Sequence, residues 1–224
     1  MIGRAQGVAL GLGRPWDVRL ERILRFCASG SASFPGEGPT DDKGLTKYVK
    51  GYYAERERVI AVTTMGTQPD PVINEVLTAF FKKRPEQLAA IEKAHRDSMA
   101  AENLVGALLE RYLATLLEPK GWIWCCGNTV KAVDFIQDQA DPPQVFQIKN
   151  RSNSENSSSA GIRVGTVIKK WYRINATNGQ TRWHLLPENE VGTLTEYGFY
   201  RFVTDYAARE EPAVILNAND NVVS

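Results

Sequence analysis

A chain of 224 residues, 43% hydrophobic and 24% charged, has the length and balance of a water-soluble globular protein with one core. It contains no run of roughly 20 apolar residues, so no membrane partner is expected, and residues 1–13 lack the apolar core and cleavage site of a signal peptide. Three cysteines, of which Cys125 and Cys126 are adjacent, exclude a disulfide framework, and His95 and His184 have no cysteine partners at zinc-ligand spacing, so a reducing cytoplasm without structural zinc is expected. The net charge of +1 hides an asymmetry: residues 144–184 carry seven basic side chains against one acid, Glu155, which suits a protein that meets a polyanion on one face.

In chain order, residues 16–28 place Leu20, Ile23, Leu24 and Cys27 at helical spacing. Residues 29–42 are rich in Gly, Ser and Pro and read as a loop. Residues 58–64 form a short β-branched run that fits a strand or a buried connector. Pro71 opens a helix to about Lys83, and Pro85 opens another to Leu117, with a break expected near Ser98. After Pro119 the pattern changes to strands at 121–126, 130–137 and 145–149, separated by Gly127-Asn128 and by the Asp- and Pro-rich turn 138–143. Residues 152–159 are a polar Ser/Asn loop, and 166–174 are expected to form a basic helix. Residues 181–186, 198–203 and 213–216 would add strands.

The chemistry concentrates in Val133-Asp134-Phe135-Ile136 and Val145-Phe146-Gln147-Ile148-Lys149. Strand alternation puts Gln147 and Lys149 on one face, with Phe146 and Ile148 on the other, and Asp134 approaches from the neighbouring strand. A carboxylate, an amide oxygen and an ammonium would then meet on an apolar platform. Phosphodiester hydrolysis needs oxygen ligands for a divalent cation beside the scissile phosphate and a group that handles the attacking water. Asp134 and the backbone carbonyl of Ile148 suit the first task, and Lys149 suits the second. An ordinary hairpin with a surface Asp–Lys ion pair would show the same residues.

Asp, a turn, then an acid-x-Lys is the pattern of the PD-(D/E)xK nuclease superfamily, and this segment resembles it. The chain departs from that pattern at Val133, where proline is usual, and at Gln147, where an acid is usual. The resemblance therefore implies a glutamine variant or a displaced carboxylate, for which Glu102 and Glu155 are candidates. Helical phase puts Glu102 on the apolar stripe of Val105, Leu108, Leu109, Tyr112, Leu113 and Leu116, where a carboxylate needs a partner such as a metal or Lys149. Glu110, at the edge of the stripe, is its rival. Beyond Lys149, the side chains Asn150, Arg151, Asn153, Glu155, Asn156 and Ser157 match the hydrogen-bonding edges of bases in a major groove. Lys169, Lys170 and Arg173, on one side of the expected basic helix, would follow a phosphate backbone.

Glu102-Asn103-Leu104-Val105-Gly106, Glu110-Arg111-Tyr112, Val133-Asp134-Phe135 and Gln147-Ile148-Lys149-Asn150-Arg151, followed by the Ser/Asn run and the Lys-Trp segment, resemble type II restriction endonucleases of the SinI/AvaII-like group. The resemblance covers roughly the C-terminal half. It implies an α/β restriction-endonuclease-like core, a central mixed β-sheet flanked by helices, with an N-terminal helical layer. It also implies a homodimer, Mg2+ with no small-molecule cofactor, and double-stranded DNA cut at a short palindrome, GGWCC in that group. In this division residues 1–97 would be a mainly helical part for dimerisation or DNA clamping. Residues 98–224 would be the nuclease core with its recognition loop, all in one compact unit. The alternatives are a repair or junction nuclease of the same fold, a DNA-binding module with a degenerate core, which Gln147 favours, and an RNA-binding or toxin-type protein.

Overall fold

The computed structural model describes residues 1–60, 70–152, 164–187 and 193–209. Aspartates start three of the helices. After α1 (Ile2–Gly11), Asp17 accepts a hydrogen bond from the Arg19 amide at the head of α2 (Val18–Ala28). Asp41 does the same for Gly44 in α3 (Asp42–Glu57), and Asp70 for Val72 in α4 (Pro71–Ala79). Each satisfies an amide that the first helical turn would leave unpaired. Prolines at the first position of α4 and α5 (Pro85–Leu117) use the same freedom differently, since the missing N–H has no helical partner to lose. Helix α5 runs unbroken for 33 residues, about 50 Å, through the break expected near Ser98 and across the expected 97/98 boundary. None of the residues around Ser98 is a proline or glycine, so nothing there interrupts the hydrogen-bond ladder.

A short 3-10 turn (Glu118–Lys120) leads into a four-stranded sheet in the order β1-β2-β3-β4. Strands β1 (Ile123–Trp124), β2 (Phe135–Gln137) and β3 (Gln144–Arg151) are antiparallel neighbours, and β4 (Ile168–Ile174) lies parallel to β3. The expected mixed sheet with flanking helices and an N-terminal helical layer is therefore present. One core joins the layers: Leu20, Ile23 and Leu24 of α2, Leu45, Val49 and Tyr52 of α3, and Leu109 and Leu113 of α5 are buried with Ile123, Phe135, Ile136 and Val145 of the sheet. The last helix, α6 (Glu196–Arg209), adds Phe199, which packs against Tyr112 and Trp183.

Four expectations are corrected. Residues 166–174 form strand β4 rather than a basic helix. Ile168, Trp171, Tyr172 and Ile174 are β-branched or aromatic, and full pairing from Val145↔Ile168 to Arg151↔Ile174 overrides the helical reading. Lys169 and Lys170 therefore point to opposite faces, so Lys169, Lys170 and Arg173 do not share one side. Residues 181–186 give one bridge, Ile174↔Thr181, and a 3-10 turn (Trp183–Leu185), because Trp183 is drawn into the Trp171 aromatic cluster. Residues 198–203 lie in α6, where Phe199, Phe202, Val203 and Tyr206 recur at helical spacing. Helices α1 and α3 were not expected from the pattern. The expected strand at 213–216 lies outside the described residues, as does most of the run 58–64.

Candidate active site

Strand β2 delivers the first carboxylate. Asp134 immediately precedes β2 and is fixed by its main chain on both sides: its amide donates to the Phe146 carbonyl (2.9 Å) and its carbonyl accepts from the Cys125 amide (2.8 Å). Its side-chain Oδ2 accepts from the Ile148 amide at 2.6 Å. A short bond from an amide to a carboxylate is charge-assisted, and it locks the aspartate to the strand that carries Lys149. Phe135 pairs with Phe146, so Asp134 and Gln147 occupy adjoining register positions. Gln147 is buried, and alternation places it on the Lys149 face of β3.

Helix α5 delivers the second carboxylate, and it is Glu110. Its Oε2 accepts from the indole Nε1 of Trp124 at 3.0 Å. Trp124 is buried in β1, its ring is faced by the guanidinium groups of Arg56 and Arg111, and its amide donates to Glu118 (3.2 Å). Arg111 also donates to the carbonyls of Glu55 (2.9 Å) and Arg58, which ties the end of α3 to α5. The backbones of α3 and the β1–β2 connection touch close by. Gly127 has φ +67°, and a Cβ there would stand 2.7 Å from the Gly51 carbonyl oxygen, so this approach requires glycine. The close packing brings Glu55 beside Glu110.

Two adjoining cavities of about 350 and 390 Å³ share Glu55 and Glu110 as walls. Asp134 lines one; Lys149, Glu102 and Gly106 line the other. Burial is the main influence on both acids. It pushes the Asp134 carboxyl above the usual carboxylate range, against the Ile148 hydrogen bond and the Lys149 charge, which pull it down. Burial pushes Glu110 higher still, reinforced by the negative charge of Asp134 and opposed by the Trp124 bond. Two carboxylates raised by burial, one of them further raised by the charge of the other, form a pocket short of positive charge. A hard divalent cation held by two acids and completed by water and phosphate oxygens matches that donor set. Among the described residues no group of three or more His, Cys, Asp or Glu stands close enough to hold a metal unaided.

The remaining expected residues divide by position. Glu102 is not on the buried stripe. It is exposed at the cavity mouth, 4.0 Å from Arg151 Nε, on the part of α5 that is only partly covered, since continuous burial of the helix begins at Leu108. Glu110, two helical turns deeper, is the acid that reaches the sheet. Asn150 turns to the other face and accepts from Arg173 Nε (2.9 Å), and Arg173 also pairs with Glu196, so these two join β3, β4 and α6. Arg151 is exposed beside the cavity mouth. Lys170 donates to the Ser152 carbonyl (3.2 Å), and Lys169 lies over the Phe146 ring. A separate cavity of about 520 Å³ beside β4 is lined by Lys169, Lys170, Arg182 and His184, with no carboxylate among the described residues that line it. Asn153, Glu155, Asn156 and Ser157 lie outside the described residues. Sequence reasoning did not single out Glu55 or Trp124. The signal for Trp124 was an indole in a strand immediately before the cysteine pair; for Glu55 there was none without α3.

A long helix meeting an antiparallel strand pair, with an acid from each and a lysine on the next strand, defines a restriction-endonuclease-like core. The chain belongs to the SinI restriction endonuclease family, which residues 41–209 match. It is 50% identical over 147 residues to the type II restriction enzyme Eco47I of Escherichia coli, covering 64% of each chain. It is also 50% identical over 144 residues to the type II restriction enzyme SinI of Salmonella infantis, covering 62% of each. The chain thus aligns with somewhat under two thirds of the length of these curated relatives.

Proposed function

We propose that this protein is a type II restriction endonuclease that hydrolyses phosphodiester bonds of duplex DNA with Mg2+. The observation that carries the reading is the convergence of Asp134 and Glu110, each raised by burial, beside the Lys149 ammonium. Family membership and two half-identical restriction enzymes support it.

In this reading Asp134 and Glu110 hold the cation, with the Ile148 carbonyl as a further oxygen. The cation supplies positive charge that neutralises the scissile phosphate and acidifies the attacking water. Lys149 orients that water and stabilises charge that develops on the phosphate. The Ile148 amide holds Asp134 in one orientation, and Trp124 does so for Glu110. Gln147, beside Asp134, contributes an amide oxygen without charge, and Glu110 provides the negative charge that an acid at 147 would bring. Glu102 acts from the mouth, paired with Arg151, rather than in the ligand set.

Arg151 and the Ser/Asn segment after it, with Asn153, Glu155, Asn156 and Ser157, are proposed to read bases. The basic cavity along β4 is proposed to follow phosphates through Lys169 and Lys170. The family resemblance brings the expectation of GGWCC and of a homodimer, with residues 1–97 assigned to dimerisation or clamping. The described residues contain no helix long and apolar enough to cross a membrane.

Incubation of the purified protein with plasmid DNA and Mg2+, followed by sequencing of the ends, tests the function. Discrete fragments that share one palindrome are expected, and chelation with EDTA should leave the DNA intact. Tight binding without cleavage would replace this reading by that of a degenerate core, which Gln147 favours.

A further inference from the structure

We infer that the outward face of α4 is the surface on which two copies of this chain pair, with the two-fold axis passing near Val76. Residues 71–99, all of α4 and the first part of α5, form a helical hairpin that contains no buried residue. Helix α4 is nevertheless strongly apolar. Its inner side meets α5 through Asn74, which donates to Glu92 at 2.8 Å, and Leu77 beside it is half-buried. At about 100° per residue, Val72, Ile73, Val76, Ala79 and Phe80 gather on the side turned away from that contact. Phe80 is 78% exposed and Val72 is 68% exposed. An amphipathic helix ordinarily turns this face inward, and a nine-residue helix has little stability of its own without such burial.

The size of the face and its charges identify the occupant. With Phe81, these side chains expose on the order of 500 Å² of apolar surface, at the upper end of what a monomer leaves uncovered. That is also most of the roughly 800 Å² that each partner contributes to an ordinary stable interface. The charges flanking the helix are polarised: Asp70 caps its start, and Lys82, Lys83 and Arg84 follow its end, with Glu75 at its centre. Val76 stands midway between Asp70 and Lys82, and also midway between Val72 and Phe80. An antiparallel pair centred on Val76 therefore sets the acidic start of each helix against the basic end of the other, and Val72 against Phe80. A two-fold contact needs such self-complementarity. The inference deepens the homodimer part of the proposed function by naming its surface; it rests on the exposed face and not on the nuclease chemistry.

Sedimentation velocity of the full-length protein, without DNA or metal, tests it. The wild type should sediment as a dimer, and Val76→Glu and Phe80→Glu as monomers, with helical content and Tm of the monomer fold retained. Because Cys27, Cys125 and Cys126 are buried, Val76→Cys would carry the accessible thiol, and oxidation should convert it to a disulfide-linked dimer. That result keeps the test decisive even if a glutamate variant folds poorly. A monomeric wild type, or glutamate variants that remain dimeric, would overturn the inference. So would variants that stay dimeric but lose affinity for DNA, which would assign the face to the nucleic acid. Loss of cleavage plays no part in this reading, so failure of the nuclease assignment stays separable.

Discussion

Asp134 and Ile148 are joined side chain to main chain, Oδ2 to amide at 2.6 Å, and this bond fixes the distance from the carboxylate to Lys149 on the next residue. Asp134→Asn keeps a carbonyl oxygen for the Ile148 amide but loses the charge. Asp134→Asn and Lys149→Ala are each expected to lower plasmid cleavage by roughly 10²-fold or more, with DNA binding in a gel shift kept within a few-fold. Cleavage near the wild-type rate by either variant would remove that residue from the site.

The two raised acids also make the metal-free fold sensitive to pH. A carboxyl whose folded pKa exceeds its unfolded value gives a folded state that binds more protons. Its destabilisation is absent below the unfolded value and grows as pH rises through the folded one. Without metal, Tm should therefore fall between about pH 4 and pH 8 at this site. Glu110→Gln should raise Tm at pH 8 by about 2–4 °C for each kcal/mol of repulsion removed, and by little at pH 4. Mg2+ should raise the wild-type Tm and do much less for Asp134→Asn. Scanning calorimetry at the two pH values, with and without Mg2+, measures each of these.

Gln147 adjoins Asp134, so Gln147→Glu adds a further negative charge beside the acids Asp134, Glu110 and Glu55. In the absence of metal this variant should melt several degrees lower, by roughly 1–2 kcal/mol of added repulsion and desolvation. It should reach half-maximal cleavage at a lower Mg2+ concentration than the wild type. An unchanged Mg2+ midpoint would mean that position 147 lies outside the ligand shell.

Arg56 supports the site from behind. It donates to Tyr52 and Glu118, faces Trp124, and is largely buried. Arg56→Ala leaves the Glu118 carboxylate short of a partner although Arg19 still reaches it. A cost of about 3 kcal/mol is expected from breaking a buried pair, seen as a lower midpoint in urea unfolding. A cost under about 0.5 kcal/mol would make the network an ordinary surface one.

Much of this arrangement was legible in the residues. The alternation at 145–149 and the turn chemistry at 138–143 gave the hairpin, since one face of β3 is buried and its register is strongly specified. Asp70-Pro71 and Pro85 gave the starts of α4 and α5, whereas Asp41, which caps α3, sat at the end of a run read as a loop. Residues 166–174 were misread because Lys169, Lys170 and Arg173 also fit a helical face; only the pairing partner, β3, decides between the two. Glu102 was favoured over Glu110 because helical phase locates a side chain around an axis but not along it. Where α5 leaves the core is a tertiary property, set by Leu108, Leu109 and Leu113 packing on the sheet. Glu55 depends on α3, whose position rests on the Gly51–Gly127 contact, which no local pattern announces.

The account stands most directly on Glu110 as the second acid. Single-turnover cleavage of one DNA substrate by wild type, Glu110→Gln and Glu102→Gln, at saturating Mg2+, tests it. Glu110→Gln should be slowed by roughly 10²-fold or more, and Glu102→Gln by no more than a few-fold. A Glu110→Gln enzyme that cuts at the wild-type rate, beside an inactive Glu102→Gln, would contradict the site described by the structure.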